Sequence, residues 1–154
     1  MKSAHLVPAL VMSVVIVILA SCSKTGGNAA TANNNTTTDS VSNFLTSGKW
    51  TIGSMSQKNE DNTSSFTGYV FSFEKNGQLT AVKNGTSVQG AWHYTPAVTY
   101  YGSSSSNAIS IDLGTDNPFS RLTRTWNLLT ASANTIKLQN PEIQEQEQVQ
   151  FIKQ

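Results

Sequence analysis

Residues 43–154 predict an all-β fold: an eight-stranded antiparallel barrel of up-and-down order, preceded by one short helix. Three observations point to it. Eight segments alternate apolar and polar residues, tight-turn signals fall between them at short spacing, and no helical period runs through them. Eight antiparallel strands in succession bury one face best by closing, because closure removes exposed edges. A two-sheet sandwich fits the same pattern and stays open as the alternative.

The elements follow in order. Asp39 to Thr46 predicts the helix, with Asp39 or Ser40 as cap and Val41, Phe44 and Leu45 facing a core. Lys49 to Gln57 opens the sheet with Trp50 and Ile52 alternating against Thr51 and Gly53. Phe66 to Glu74 places Tyr69, Phe71 and Phe73 on one face, and Lys75-Asn76-Gly77 is a tight turn, since Asn-Gly tolerates positive φ. Gln78 to Lys83 follows, then the turn at Asn84-Gly85, then Thr86 to Thr95 with Val88, Trp92 and Tyr94 on one face. Pro96 to Asn107 reads as a long loop carrying Tyr100, Tyr101 and four serines. Ala108 to Leu113 alternates Ile109, Ile111 and Leu113 with Ser110 and Asp112. After the loop Gly114 to Ser120, Leu122 to Thr130 groups Leu122, Trp126 and Leu128, and Thr135 to Gln139 and Glu147 to Ile152 complete the eight.

The N-terminal region is of a different kind. Lys2 and His5 form a short positive start, Val7 to Ala20 is an apolar run, and Leu19-Ala20-Ser21-Cys22 ends it. The apolar run of about 14 residues falls short of the roughly 20 that span a bilayer. This pattern resembles a bacterial lipobox. The resemblance implies that residues 1–21 are a lipoprotein signal peptide and that Cys22 becomes the acylated first residue. Several acyl chains hold firmly where one holds marginally, at about 0.8 kcal/mol per buried methylene. The resemblance further implies the outer membrane, because Ser23 stands where the enterobacterial inner-membrane retention signal has Asp. Ser23-Lys24-Thr25-Gly26-Gly27 lacks the acidic residues that surface-exported lipoproteins of Bacteroidota carry after the cysteine, so the resemblance implies the periplasmic side over surface exposure. Residues 22–42, rich in Asn, Thr, Ser, Ala and Gly, read as a flexible tether that cannot offset its ordering entropy.

Composition narrows the function. Loss of Lys2 with the leader leaves nine basic against nine acidic residues, so no surplus of charge suggests nucleic acid. Cys22 is the only cysteine; once acylated, it leaves no thiol for a disulfide, a zinc site or a nucleophile. His93 is the only histidine after the leader, no serine lies in a Gly-x-Ser-x-Gly setting, and the Asp112 to Asn117 stretch lacks the spacing of a calcium loop. The expectation is a monomeric binding protein, not an enzyme, with no cofactor and no metal.

Gly48-Lys49-Trp50-Thr51-Ile52 opening the first strand, Phe71-Ser72-Phe73-Glu74-Lys75-Asn76-Gly77-Gln78-Leu79 entering a turn, Gly90-Ala91-Trp92, and Trp126 together resemble the small lipocalin-like lipoproteins of Bacteroidota. The likeness covers roughly residues 44–154. It implies that Trp50 plugs the closed end of a barrel, and that Arg121 or Arg124 stands where a late arginine packs over that tryptophan. The Thr-Asp-Tyr-type phrase of true lipocalins is missing, and the chain is short, so any calyx is shallow. The implied function is capture of a small apolar or amphipathic molecule, with Tyr69, Phe71, Phe73, Trp92 and Tyr94 lining the barrel and Tyr100 and Tyr101 at its mouth. The rival reading is a protein-interaction or inhibitor module of the envelope with a packed, ligand-free core. A filled interior favours the rival, and a cavity above about 300 Å³ favours the carrier.

Overall fold

A computed structural model describes residues 34–154, with side chains from Ser40 onward. The expected signal peptide, Cys22 and most of the expected tether lie outside the described residues. Helix α1 (Asn34–Thr46) starts five residues before the expected helix and takes in the end of the segment read as tether. Val41 and Leu45 are buried, and Phe44 packs against the same core.

Eight strands close into an antiparallel barrel, so the barrel and not the sandwich is the architecture. They are β1 (Lys49–Gln57), β3 (Val70–Phe73), β4 (Gln78–Lys83), β5 (Thr86–Thr95), β8 (Ala108–Asp112), β9 (Arg124–Ala131), β10 (Thr135–Gln139) and β11 (Gln148–Lys153), each paired with the next. Closure comes from β11 on β1, with Trp50 opposite Lys153 and Met55 opposite Val149. The two-residue strand β2 (Glu60–Asp61) folds back on the end of β1, outside the ring. The expected long loop contains a hairpin of its own, β6 (Thr99–Tyr100) with β7 (Ser103–Ser104).

Four of the strand boundaries, those of β1, β4, β5 and β10, fall where the alternation places them. Of the other four, β8 ends one residue early, β11 is shifted by one residue, and two differ for local reasons. The strand expected from Phe66 begins at Val70, because Thr63–Phe66 forms a 3₁₀ turn and Gly68 stands at φ +83°. The strand expected from Leu122 begins at Arg124, because Phe119–Arg121 forms another 3₁₀ turn, capped at Leu122, although Leu122 itself is fully buried.

Bulges bend the wall. The pairing of β1 with β11 shifts between Ile52 and Ser54, so inward residues run Trp50, Ile52, Met55 in place of strict alternation. Gly53 sits in that bulge, where a Cβ would meet the Ile152 side chain at 2.1 Å. Gly90 is demanded more strictly: a Cβ there would lie 1.9 Å from the Asp112 carbonyl oxygen, which belongs to the neighbouring strand.

The antiparallel order sorts the connections. The turn at 74–77, the hairpin at 96–107 and the turn at 132–134 lie at the barrel end that α1 covers. The segments at 58–69, 83–86, 113–123 and 140–147 lie at the opposite end.

Candidate functional site

The barrel interior is filled. Phe71, Leu79, Ala81, Ile109, Trp126 and Ile136 are among the side chains at 0 % exposure. The aromatics expected to line a calyx pack on one another edge to face. Trp92 meets Phe73 at 5.6 Å, Phe73 meets Phe151 at 5.6 Å, and Phe151 meets Phe71 at 5.5 Å. Tyr69 continues the series at the end away from α1, 5.1 Å from Phe119. Such pairs add about 0.5–1.5 kcal/mol each beyond their buried area.

Polar handles are satisfied by backbone. The Trp50 indole donates to the Leu45 carbonyl at 2.8 Å, Trp92 to Glu74 at 2.9 Å, and Trp126 to Leu122 at 2.9 Å. Trp50 thus sits fully buried beneath α1. Tyr94 donates its hydroxyl to Asn107 Oδ1 at 2.9 Å, and burial pushes its phenol pKa up. The same Asn107 oxygen accepts from the Ala97 amide at 2.8 Å. Tyr100 and Tyr101 stand apart from all of these, 72 % and 92 % exposed on the β6–β7 hairpin.

A polar cleft of about 460 Å³ lies at the end away from α1. Its floor is an ion pair. Arg124, at the start of β9, pairs with the carboxylate of Glu147, which is 1 % exposed. The Asn140 amide donates to the same Glu147 oxygen at 2.6 Å. The Arg124 guanidinium lies 5.4 Å from the Trp126 ring centroid and is 30 % exposed, while its buried Nε finds no acceptor. Gln57, Thr123, Thr125, Glu142 and Glu145 complete the walls. The rim is braced by the Lys58–Glu145 ion pair at 3.2 Å and by Asn59 Nδ2 donating to Gln146 at 2.6 Å.

The expected late arginine is therefore placed otherwise. Arg124 packs over Trp126, not Trp50, and Arg121 donates to Gln57 and Asn62. Glu147 and Asn140 were not singled out by the sequence. The one legible signal was Glu147 opening a strand whose alternation puts Val149 and Phe151 inward, so that Glu147 falls on the same face.

A second depression, about 300 Å³, lies on the outer wall over β5, β8 and β9. His93, Ser110 and Asp112 all line it, but no hydrogen bond joins them. Ser110 Oγ pairs with Thr125 Oγ1 at 2.9 Å, and Asp112 Oδ1 accepts from the Gly114 amide at 3.0 Å. Among the described residues no group of three His, Cys, Asp or Glu converges as a metal site.

A closed eight-stranded up-and-down ring with a helix over one end is the lipocalin arrangement of strands. The chain has a lipocalin-like barrel fold. A DUF4847 family protein from Bacteroides vulgatus shares it at a TM-score of 0.52 and 13% identity, over 74% of this chain and 99% of that one. Fainter likenesses are a lipocalin-like protein from Bacteroides uniformis, with TM-score 0.40, 15% identity and coverage of 72% and 99%, and an uncharacterized protein from Bacteroides eggerthii, with 0.42, 12%, 70% and 98%. At 13% identity the likeness to the DUF4847 family protein is one of fold. No protein-family model matches the sequence, and no curated protein matches it.

Proposed function

We propose that this is a monomeric envelope lipoprotein, acylated at Cys22, whose barrel serves as a rigid scaffold and takes a small polar or amphipathic molecule in the cleft over Arg124 and Glu147. The observation that carries the reading is the buried ion pair flooring a cleft of about 460 Å³. A buried pair is weak support for stability, since well-packed apolar residues serve as well or better there. Its volume lies within the range of small-molecule sites. Arg124 supplies donors for a carboxylate, phosphate or carbonyl group of the ligand, and Glu142 and Glu145 on the rim accept from hydroxyl or amine groups. The reading is one of binding and not of catalysis; of the groups lining the outer depression, Ser110 bonds to Thr125 and Asp112 to the Gly114 amide.

The filled interior favours a second reading, the protein-interaction module, in which the same cleft receives a side chain of a protein partner. Native mass spectrometry of the protein purified from its own envelope separates the two. A reproducible small adduct lost in the Arg124→Met/Glu147→Gln double variant supports the ligand reading; an empty cleft with a co-purifying protein supports the second. Anchoring has its own check. Cys22→Ala is expected to leave the membrane fraction, and persistence there would refute acylation.

A further inference from the structure

The β6–β7 hairpin carries a residue that its turn does not want. Tyr101 and Gly102 are the two central residues, at φ +47° and +82°. The β4–β5 turn has the same geometry, with Asn84 at +51° and Gly85 at +82°, and there the chain uses the favoured Asn-Gly pair. A tyrosine in the left-handed region is disfavoured by contact of its Cβ with the backbone, where asparagine is tolerated. Tyr101 gains little from packing to offset this. Apart from its edge-to-face contact with Tyr100 at 4.3 Å, it is 92 % exposed. A disfavoured conformation held at an exposed tip points to use.

The surroundings indicate what kind of use. From Pro96 to Asn107 there is no charged residue, and Val98 is 58 % exposed beside the tyrosines. Exposed Leu129 and Ile152 lie in the same half of the barrel, near the ends of β9 and β11. Charge is divided between the two ends. Lys49, Lys75 and Lys153 stand at the α1 end with two carboxylic residues, Glu74 and, within α1, Asp39. The opposite end holds seven carboxylates, among them Glu60, Asp116 and Glu145, against four cations. Tyrosine with apolar neighbours and lysines is the chemistry of a bilayer interface, where the ring body lies in the headgroup region and the hydroxyl stays wet. The lysines add attraction to anionic headgroups near the surface.

We infer that the α1 end of the barrel rests on the bilayer, with Tyr100 and Tyr101 seated among anionic lipid headgroups, so that the cleft at the opposite end faces away from the membrane. The inference rests on the acylation of Cys22 in the proposed function. Cys22 precedes α1 by 12 residues, a span of at most about 40 Å when extended, which keeps this end within reach of the surface.

The test uses the full acylated protein in vesicles of phosphatidylcholine with phosphatidylglycerol. With Cys22 acylated, an introduced Ser104→Cys is the only free thiol, and it carries an environment-sensitive fluorophore on the hairpin. Thr115→Cys serves as the comparison at the opposite end. Quenching of the Ser104→Cys label by aqueous iodide is expected to be several-fold weaker than that of the Thr115→Cys label, and quenching by spin-labelled lipid several-fold stronger. Adding Tyr100→Ser and Tyr101→Asn is expected to remove most of that difference. Equal quenching at the two sites overturns the inference, as does a difference that survives loss of both tyrosines. Hairpin protection that needs a co-purified protein and not lipid overturns it in favour of a protein partner. Intact mass of the unlabelled protein reports acylation separately, so a bare Cys22 overturns the anchor reading itself and the orientation built on it.

Discussion

Trp50 donates its indole N–H to the carbonyl of Leu45 at 2.8 Å, joining the first barrel strand to the last turn of α1. Both residues are buried, at 0 % and 1 %. The bond satisfies a helix-terminal carbonyl that has no partner within the helix, and it does so inside the core.

Trp50→Ala is therefore expected to lose about 3–5 kcal/mol, as buried aromatic truncations do. Trp50→Phe keeps most of the apolar volume but leaves the Leu45 carbonyl without its donor, at about 1–3 kcal/mol. Urea unfolding measures both. A loss under about 1 kcal/mol for the alanine variant would mean that the barrel floor closes without Trp50.

The Arg124–Glu147 pair predicts strong coupling. Arg124→Met leaves the buried Glu147 carboxylate with Asn140 as its remaining side-chain partner, so a loss of about 2–4 kcal/mol is expected, below the full cost of breaking a buried pair because Arg124 is partly exposed. Removing both charges in Arg124→Met/Glu147→Leu should recover a large part of it. A double-mutant cycle by chemical unfolding reads the coupling. Additive losses would show that water screens the pair.

Tyr94 predicts an alkaline dependence. Burial raises its phenol pKa above the ordinary value of 10.0, so the folded state resists ionisation. Below pH 10.0 the stability is fully present, and as pH rises beyond it the unfolded chain releases the proton first and stability falls. Tyr94→Phe should flatten that fall while losing the hydrogen bond to Asn107, seen as lower stability at neutral pH. A Tyr94→Phe curve parallel to that of the parent protein above pH 10.0 would exclude Tyr94 as the source.

Tyr101→Asn should stabilise the protein, by about 1 kcal/mol, because asparagine adopts the left-handed conformation with less strain. A thermal melt checks it. A stability gain together with weaker seating of the hairpin on vesicles is the expected pairing, since the strain and the interfacial contact reside in the same side chain. Unchanged or lower stability would show that the Tyr100–Tyr101 contact already offsets the strain.

The strands were legible because alternation reports which face is buried. Trp50, Phe71, Phe73, Trp92, Ile109 and Ile111 are inward where period two places them. Alternation failed where backbone irregularity intervenes: at the Gly53 bulge, at Gly68, and at the 3₁₀ turns that carry Phe66 and Phe119. It also says nothing of the space left between inward side chains, so the same aromatics read equally well as a ligand lining or as a core. The cleft was less legible still. Arg124 and Glu147 lie 23 residues apart in the chain and meet only because β10 and β11 bring the start of one strand beside the lead-in to another.

The sequence by itself determined the all-β class, the number of barrel strands and which face of each strand is buried, because side-chain direction alternates along an extended chain whatever the chain later packs against. Only the tertiary structure decided closure of β11 on β1, the filling of the interior by edge-to-face rings, the pairing of Arg124 with Glu147 and the division of charge between the two ends. Those features depend on contacts between residues distant in the chain, and a local pattern carries no information about which distant residue will stand opposite.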